Sequence, residues 1–375
     1  MRNLRCRISR SAAVAGAFAW LALSIGRNAC AVNVRHSAAA PQAHAARHKS
    51  RVPSAAQLYD LSRDADANYS YRGRQVTSSW KAGKTLAITV SHRAGGWDRI
   101  DYTAPDRLRG HSLVSNGRQE WQLNPQTKTL TVRAVSPRPN DATEDATGYN
   151  LLRSNYTLSL ESVPETFANR KAFVLTITRK SNHTIARRLW IDAATNIVLR
   201  REVFQEDGRL AVTVAFTEID FHPKFAPDAF SIPGMRGETG IRTIKIARDP
   251  EQPIDIRAVA GQLDRKAIAP PNPAGYRLIG AGVLPYKANR TALHLRYSDG
   301  LNLVSLFETQ RILTSRPTRV PAIMHPAHIA GVNVNVTHHG SLTTINWDTK
   351  SLNLTLMGEA AGAPLKQFVA TIGAP

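Results

Sequence analysis

Hydrophobic and polar residues alternate with a period of two along most of the chain after residue 69. The alternation fills YSYRGRQVTSSW, TLAITVSH, WDRIDYT, HSLVSNGRQEWQL and KTLTVRAV, which follow one another at short intervals. A period of two predicts strands that bury one face, and Asn116-Gly117 predicts a hairpin turn because both residues tolerate positive φ. Short connections favour antiparallel neighbours over parallel strands joined by helices. The pattern therefore predicts a large antiparallel meander.

Four further predicted strands, KAFVLTITRK, RRLWID, IVLRREVF and RLAVTVAFTEIDF, carry apolar residues on one face and Arg188, Arg200 and Thr213 on the other. Helical spacing predicts one helix over 55–67, after Pro53-Ser54. Residues 149–160 read as a second, short helix, and SPRPNDATEDATGYN before them reads as a loop because of its Pro, Asn, Asp and Thr content.

Two helices are few for an apolar face that spans eight or more strands. We therefore expect part of this face to be open to an apolar ligand. Complete coverage of the face by helices and loops is the alternative. The candidate lipid-binding residues lie at alternating positions of the four strands and are Phe173, Leu175, Leu189, Ile191, Leu199, Val212, Val214 and Phe216.

The composition changes after Phe221. Residues 231–273 are rich in Pro and Gly and predict an irregular linker. Strand patterns then return in TALHLRYSDGLNLVSLFE, a hairpin with Asp299-Gly300 at its tip, and in GVNVNVTHHG, TTINWDT and LNLTLMG. GAPLKQFVATIG predicts a closing helix, so a smaller second domain is expected.

The N-terminus has the features of a secretory signal peptide. MRNLRCRISR carries four arginines and no acid, an apolar run follows, and Ala29-Cys30-Ala31 forms a small-residue cleavage site. An uncleaved membrane anchor is the alternative. Cleavage near Ala31 removes both cysteines, Cys6 and Cys30, and lowers the formal net charge from +21 to +16, because five arginines and no acids are lost. We therefore predict an exported, basic protein without disulfides, which suits acidic partners or anionic lipid surfaces.

Catalytic and metal-binding patterns are weak in this sequence. The histidines between His325 and His339 are close in sequence, but there is no HExxH, and adjacent His338 and His339 on a strand point to opposite faces. There is no GxSxG elbow, and no Gly-rich phosphate loop follows a strand and opens a helix. We predict no catalytic residues, no metal, no cofactor and no nucleic-acid partner, and the role of the His325–His339 region stays open.

Several stretches resemble the MucB/RseB family of sigma-E regulatory proteins. They are YRGRQV, NGRQEWQLNPQTKT and RRLWIDAATNIVLRREVFQEDGRLAVTVAFTEIDF in the first half, and GYRL, RYSDGLNLVSLFE and LMGEAAGAPLKQFVATIG in the second. The resemblance runs from about residue 53 to 375 and departs from the family in the long Pro-rich connection and in a His-bearing insertion around 317–331. It implies an N-terminal domain similar to the lipoprotein carriers LolA and LolB, in which a curved antiparallel sheet leaves an apolar cavity.

The resemblance also implies an organisation and a function. The expected fold is α+β and mostly antiparallel: a signal peptide at 1–31, a flexible N-terminus at 32–52, a LolA-like half-barrel wrapped around helices at 53–230, a linker at 231–273 and a smaller MucB/RseB-type α+β domain at 274–375. The expected function is non-enzymatic. The protein is predicted to be a periplasmic regulator of envelope stress signalling that binds the periplasmic domain of a membrane-bound anti-sigma factor and senses lipid or lipopolysaccharide-like ligands. The alternative is a lipoprotein carrier or chaperone of LolA type; the oligomeric state is left open.

Overall fold

The computed structural model describes residues 53–80, 83–134, 141–235, 237, 240–246, 252–259, 267–268, 273–286, 290–311, 324–339, 342–358 and 363–373, with backbone alone at 141–147, 252, 286, 290, 339 and 363. The predicted signal peptide at 1–31 and the predicted flexible N-terminus at 32–52 lie outside these residues. No helix within these ranges is both long and apolar enough to cross a membrane.

The first domain is built on one large curved sheet. In the part of the chain that the structure describes, the sheet has thirteen strands, in the order β13-β6-β5-β4-β3-β2-β1-β12-β11-β10-β9-β7, with β8 paired to β9. All neighbours are antiparallel except β13 and β6. The strands are β1 Tyr71–Ser79, β2 Lys84–Arg93, β3 Trp97–Ala104, β4 Ser112–Ser115, β5 Gln119–Asn124, β6 Thr129–Ala134, β7 Tyr156–Leu160, β8 Glu165–Phe167, β9 Arg170–Arg179, β10 Ile185–Asp192, β11 Val198–Phe204, β12 Leu210–Asp220 and β13 Arg242–Ile246.

Two helices lie on this sheet. Helix α1, Ala55–Asn68, begins at Ser54, whose hydroxyl accepts the Gln57 N–H while the Gln57 side chain accepts the Ser54 N–H. This reciprocal cap satisfies two backbone donors that a helix start otherwise leaves unpaired. Helix α2, Asp141–Asn155, leads directly into β7.

The sequence-based reading of residues 136–150 as a loop is wrong from Asp141 onward, where α2 begins. Both prolines of this segment precede Asp141, so neither removes a hydrogen bond from the helix interior. The polar composition that suggests a loop is compatible with a helix whose apolar residues are concentrated in its last turns, at Leu151 and Leu152.

The second domain is a smaller, fully antiparallel sheet closed by one helix. Within the described ranges the sheet has eight strands in the order β14-β15-β16-β17-β21-β20-β19-β18. The closing helix α3, Ala363–Ile372, buries Leu365, Phe368 and Val369 on the sheet. The strands are β14 Gln252–Pro253, β15 Arg277–Tyr286, β16 Arg290–Ser298, β17 Leu303–Gln310, β18 His325–Ile329, β19 Val332–His339, β20 Leu342–Asp348 and β21 Leu352–Gly358.

The predicted α+β class, with a large antiparallel half-barrel sheet and a smaller second domain, is confirmed. The segment predicted as an irregular linker, 231–273, is more ordered than its composition suggests. It supplies β13 to the first sheet and β14 to the second. The domain boundaries themselves stay a prediction.

Candidate functional site

An apolar cluster lies where α1 and α2 cover the strands at one end of the first sheet. Leu58 of α1 and Leu152 of α2 are fully buried against it, and Tyr156 at the start of β7 closes one side. The remaining buried members come from the sheet and are Leu175, Ile177, Ala186, Leu189 and Ile191. In this cluster, side chains of the two helices contact strand residues that include several of the predicted ligand-binding residues.

Four of the eight predicted lipid-binding residues lie in or against this cluster. Leu175, Leu189 and Ile191 are buried members, and Phe173 is half-buried against them. Val212 and Val214 are buried farther along the same face. Leu189 lies opposite Arg201, and Arg201 lies opposite Val214, so these three side chains point to the same side of the sheet.

The other two predicted residues lie elsewhere. Phe216 packs with Tyr71, Ala65 and Ile197 in a separate cluster near the end of α1. Leu199 packs with Ala172, Val174 and Trp190, which occupy the opposite face of the sheet from Leu189 and Ile191.

A β-bulge explains the position of Leu199. Trp190 pairs with Arg200, but Ile191 pairs with Val198, so Leu199 is the extra residue on β11. An extra residue reverses the inside-outside alternation, which a simple period of two does not anticipate. The prediction that Leu199 shares a face with Leu189 and Ile191 is therefore wrong, whereas the lipid-binding role of the eight residues stays a prediction.

None of the eight residues lines either of the two surface hollows that the structure describes. One hollow, of about 300 Å³, lies between α1 and the 192–196 turn and is bordered by Asp60, Asp64 and Asn196 among others. The other, of about 370 Å³, lies on the β18–β19 hairpin. Within the cluster, Leu175 and Ile191 are 0% exposed and Leu189 is 5% exposed, so the surrounding protein covers these side chains in this conformation.

Some of the packing comes from the second domain. The tip of the β16–β17 hairpin, residues 299–302, rests on α2 and β7, and Leu301 at the tip packs against the apolar cluster. The Asp299 carboxylate is 6% exposed. It accepts the backbone N–H groups of Leu301 at 2.8 Å and Asn302 at 2.7 Å, and it accepts the Tyr156 hydroxyl at 2.6 Å.

These contacts form what we call the domain joint, made of Tyr156, Arg187 and the tip residues 299–302. Burial and the neighbouring Asp299 carboxylate raise the pKa of the Tyr156 hydroxyl far above its ordinary value, so the hydroxyl remains a donor. Arg187 on β10 donates to the Leu301 carbonyl at 2.8 Å and to the Asn302 side chain at 3.1 Å. The joint therefore combines charged and neutral hydrogen bonds around one apolar side chain.

Gly300 allows the tip to come this close. Its φ is +94°, and a Cβ atom added there would stand 2.1 Å from the Leu152 nitrogen and 2.7 Å from the Gly148 carbonyl oxygen. Both are backbone atoms of α2, which cannot move aside as a flexible side chain does. Only glycine fits this contact.

A second polar site ties α1 to the sheet. His92 on β2 is 6% exposed, and its ring lies 2.7 Å from the Asp98 carboxylate through Nδ1 and 2.7 Å from the Asp66 carbonyl through Nε2. Burial lowers the pKa of His92, but the hydrogen bond and the charge of Asp98 outweigh burial, so the pKa is raised. Because both ring nitrogens face acceptors, the imidazolium form satisfies the site best.

The arginines of the 187–204 hairpin have different partners on the two faces of the sheet. On one face, Arg200 pairs with Glu202 and stacks over the Trp190 ring at 4.5 Å, and Arg188 lies 3.8 Å from Glu161. On the other face, Arg187 belongs to the domain joint. The basic residues of this hairpin are thus mostly engaged within the protein.

Two histidines of the second domain form hydrogen bonds with different neighbouring side chains. The His328 ring lies 3.0 Å from the Asn333 side chain, and the His338 ring lies 3.1 Å from the Thr343 hydroxyl. Among the described residues, no group of three or more His, Cys, Asp or Glu side chains is placed to hold a metal ion.

Fold and site together define a two-domain, mostly antiparallel protein. A hairpin tip of the second domain packs against the large sheet and two helices of the first. The family model of the MucB/RseB N-terminal domain matches residues 54–233. The resemblance to the MucB/RseB family drawn from the sequence is therefore confirmed for this part of the chain.

Solved structures extend the likeness to the second domain. The crystal structure of MucB in complex with MucA(peri) is 17% identical, covers 84% of this chain and 97% of that chain, and gives a TM-score of 0.54. The complex of Pseudomonas aeruginosa MucA and MucB is 18% identical, covers 84% of this chain and 96% of that chain, and gives the same TM-score of 0.54. At these identities the likeness is one of fold.

A LolA superfamily protein from Nitrosomonas europaea is 14% identical and covers 48% of this chain and 99% of that chain, but its TM-score of 0.24 carries no argument. A search of the curated proteins found no significant match.

Sequence reasoning missed the domain joint and the His92 site. Asp299-Gly300 predicts the tip of a hairpin, but a turn signal does not reveal what the turn contacts. The usable signal was Leu301, an apolar residue at a position that a solvated turn fills with polar ones. Nothing in the sequence spacing connects Asp66, His92 and Asp98.

Proposed function

We propose that this chain is an exported, non-enzymatic regulator of envelope stress signalling that binds the periplasmic part of a membrane-bound anti-sigma factor. The observation that carries the proposal is the MucB/RseB N-terminal domain at residues 54–233. The fold likeness to MucB, which was solved in complex with MucA(peri), supports it over 84% of the chain. The periplasm is the compartment that fits both the basic N-terminal segment and this class of partner.

The charge of the chain supports an acidic partner. The formal net charge is +21 for the full sequence, with 49 Lys and Arg against 28 Asp and Glu, and +16 after the predicted removal of residues 1–31. A surface of this kind accelerates the encounter with an acidic segment and weakens as salt screens it. Charge alone does not provide specificity, so the experiment includes a control peptide that has the same charge but a scrambled amino-acid sequence.

The test is calorimetry with residues 32–375 and the periplasmic segment of the anti-sigma factor from the same organism. We expect saturable binding of about micromolar strength or tighter, which corresponds to about 8 kcal/mol. A segment of identical composition and scrambled order is the control and is expected to bind at least about tenfold more weakly. Equal binding of both segments, or binding of neither, contradicts the proposal.

We further propose that the apolar cluster under α1 and α2 is the site for a lipid-like ligand. Four of the predicted lining residues lie in or against it, namely Phe173, Leu175, Leu189 and Ile191. Native mass spectrometry of protein purified from the periplasm is expected to show a retained lipid that denaturation removes. Protein that carries no lipid and takes up none when offered contradicts this part of the proposal.

A LolA-type lipoprotein carrier is the alternative function. A carrier needs no second domain, whereas here the second domain contributes Leu301 to the cluster and contacts the first domain through Asp299. Affinity capture distinguishes the two functions. Recovery of lipoproteins without the anti-sigma factor favours the carrier and contradicts the regulator.

A further inference from the structure

The domain joint occupies part of the apolar cluster in which the proposed ligand would bind. Leu301 is a side chain of the second domain, yet it packs against the cluster that contains Leu175, Leu189 and Ile191 of the first. An apolar guest between the helices and the sheet would meet the same side chains that Leu301 meets. The two cannot be accommodated together, because protein interiors have few voids as large as an acyl chain.

The way in which the tip is held suits reversible docking. The tip is held by several hydrogen bonds, including those from Tyr156 to Asp299 at 2.6 Å, from Asn155 to the Asp299 carbonyl at 2.9 Å and from Arg187 to the Leu301 carbonyl at 2.8 Å. Such groups regain hydrogen bonds from water when the tip leaves, so the net contribution of each bond to docking is much smaller than its strength in isolation. The tip is also preformed, because Asp299 holds the turn through the N–H groups of Leu301 and Asn302.

We propose that the tip of the β16–β17 hairpin is an intramolecular plug, with Leu301 filling the apolar cluster of the first domain until an acyl chain displaces it. Docking of the tip and binding of an acyl chain then exclude one another. Ligand binding therefore releases the second domain from the first, and a partner that contacts both domains senses the ligand through their separation. This inference rests on the proposed lipid site and adds how occupancy of that site is transmitted.

The plug makes a quantitative prediction about affinity. Only the fraction of molecules with the tip released can bind the ligand, so the apparent dissociation constant equals the intrinsic one divided by that fraction. Any change that releases the tip without altering the cluster should therefore tighten binding. A purely structural joint predicts the opposite, since loss of the joint would loosen the cluster.

The test uses laurate, below its micellar concentration, as the probe for an acyl chain. Gly300→Ala places a Cβ atom 2.1 Å from the Leu152 backbone nitrogen and prevents docking. Gly331→Ala is the matched control: Gly331 also lies at a hairpin turn with φ +83°, but nothing lies within 4 Å of the added Cβ atom. Both substitutions carry the same backbone strain, and only one undoes the joint.

Two measurements are made on the full exported chain, residues 32–375. Hydrogen exchange reports whether residues 148–156 and 299–302 are protected, and calorimetry reports laurate affinity. In the unsubstituted protein, laurate is expected to increase exchange at both segments. Gly300→Ala is expected to show the same increased exchange without laurate. It is also expected to bind laurate at least about tenfold more tightly than the unsubstituted protein does. Gly331→Ala is expected to match the unsubstituted protein in both measurements.

Leu301→Ala provides a second route if Gly300→Ala folds poorly. It keeps the Asp299 turn and removes only the apolar side chain that fills the cluster, and it too is expected to tighten laurate binding. If the tip is released in these variants but their laurate affinity is unchanged, the plug proposal is wrong, whereas the proposed lipid site is not contradicted. If no variant binds laurate, the lipid site and the plug both fail, while the anti-sigma partner is judged by its own experiment.

Discussion

The two domains close their cores in different ways. In the second domain, α3 lies on its own sheet and Phe368 is fully buried between Tyr276 and Tyr297, with ring centroids 5.6 and 5.1 Å apart. In the first domain, Leu301 from the other domain packs against the cluster under α1 and α2. A core formed within one domain is not disturbed when the domains separate. A core that a residue of the other domain contacts loses that side chain on separation and can accept a ligand in its place. The first domain is therefore where a change of state is expected.

The largest expected effect comes from breaking the self-contained core. Phe368→Ala removes a buried ring that contacts both tyrosines, and we expect it to lower the free energy of unfolding of the second domain by about 3–5 kcal/mol. Hydrogen exchange measured separately over β15–β17 and β21 detects the loss. Leu303→Ala, at a residue that is 47% exposed on β17, is the control and is expected to change stability by less than about 1 kcal/mol. A comparable loss in both variants would falsify the assignment of the core to α3.

A smaller effect is expected at the domain joint. Tyr156→Phe removes the hydroxyl that donates to Asp299 at 2.6 Å, and the loss of a hydrogen bond to a buried charge costs about 1.5–3 kcal/mol. Because the bond joins the domains, we expect faster exchange at residues 299–302 and no change in the core of α3. Tyr69→Phe removes a hydroxyl outside the joint and serves as the control. Destabilisation of the α3 core by Tyr156→Phe would show that the domains do not close independently.

The contrast between the domains also shows what the sequence can reveal. The period of two predicts β1–β6, β9–β12 and the β16–β17 hairpin, and the burial of β1, β12 and β17 alternates accordingly, whereas all four residues of β4 are buried. Helix α3 was predicted from its apolar spacing, and α1 from its start at Ser54. The self-contained core was thus accessible from local pattern alone.

The features that escaped prediction depend on contacts distant in sequence. β13 joins the sheet by pairing with β6, more than a hundred residues earlier, and lies in a segment whose Pro and Gly content suggests a linker. The bulge at Leu199 shifts one strand by a single residue and reverses the face that Leu199 occupies. The joint pairs Asp299 with Tyr156, and neither residue carries a local sign of the other.

A third prediction separates the first domain's own closure from the joint. The pKa of His92 is raised above its ordinary value of 6.5 in the folded state, so the folded state binds the proton more tightly than the unfolded state does. Its stabilising contribution is complete below about pH 6.5 and is lost as the pH rises through the folded-state pKa. We expect the first domain to lose stability over this range, measured by chemical denaturation at several pH values.

The groups that face His92 define the control for this titration. Asp98 lies at Nδ1, the Asp66 carbonyl lies at Nε2, and the Tyr71 ring stacks on the imidazole at 5.1 Å. Asp98→Asn removes the charge that favours the imidazolium and is expected to flatten the pH dependence above 6.5. Contributions common to both proteins cancel when the two profiles are compared, so their difference isolates the interaction of His92 with Asp98. Identical profiles would show that the Asp98 charge does not govern the site.

The smallest effect is expected at an exposed ion pair that belongs to neither core. Arg109 lies 2.7 Å from Asp106 in the turn between β3 and β4, and the two side chains are 66% and 90% exposed. Water solvates both charges when they separate, so Arg109→Ala is expected to change the free energy of unfolding by less than about 1 kcal/mol. Denaturation at low and high salt checks this value, since any contribution should vanish as salt screens the pair. A larger loss of stability that does not depend on salt would mean that the β3–β4 turn supports the sheet. The stability of the first domain would then depend on this turn as well as on the Leu301 side chain of the second domain.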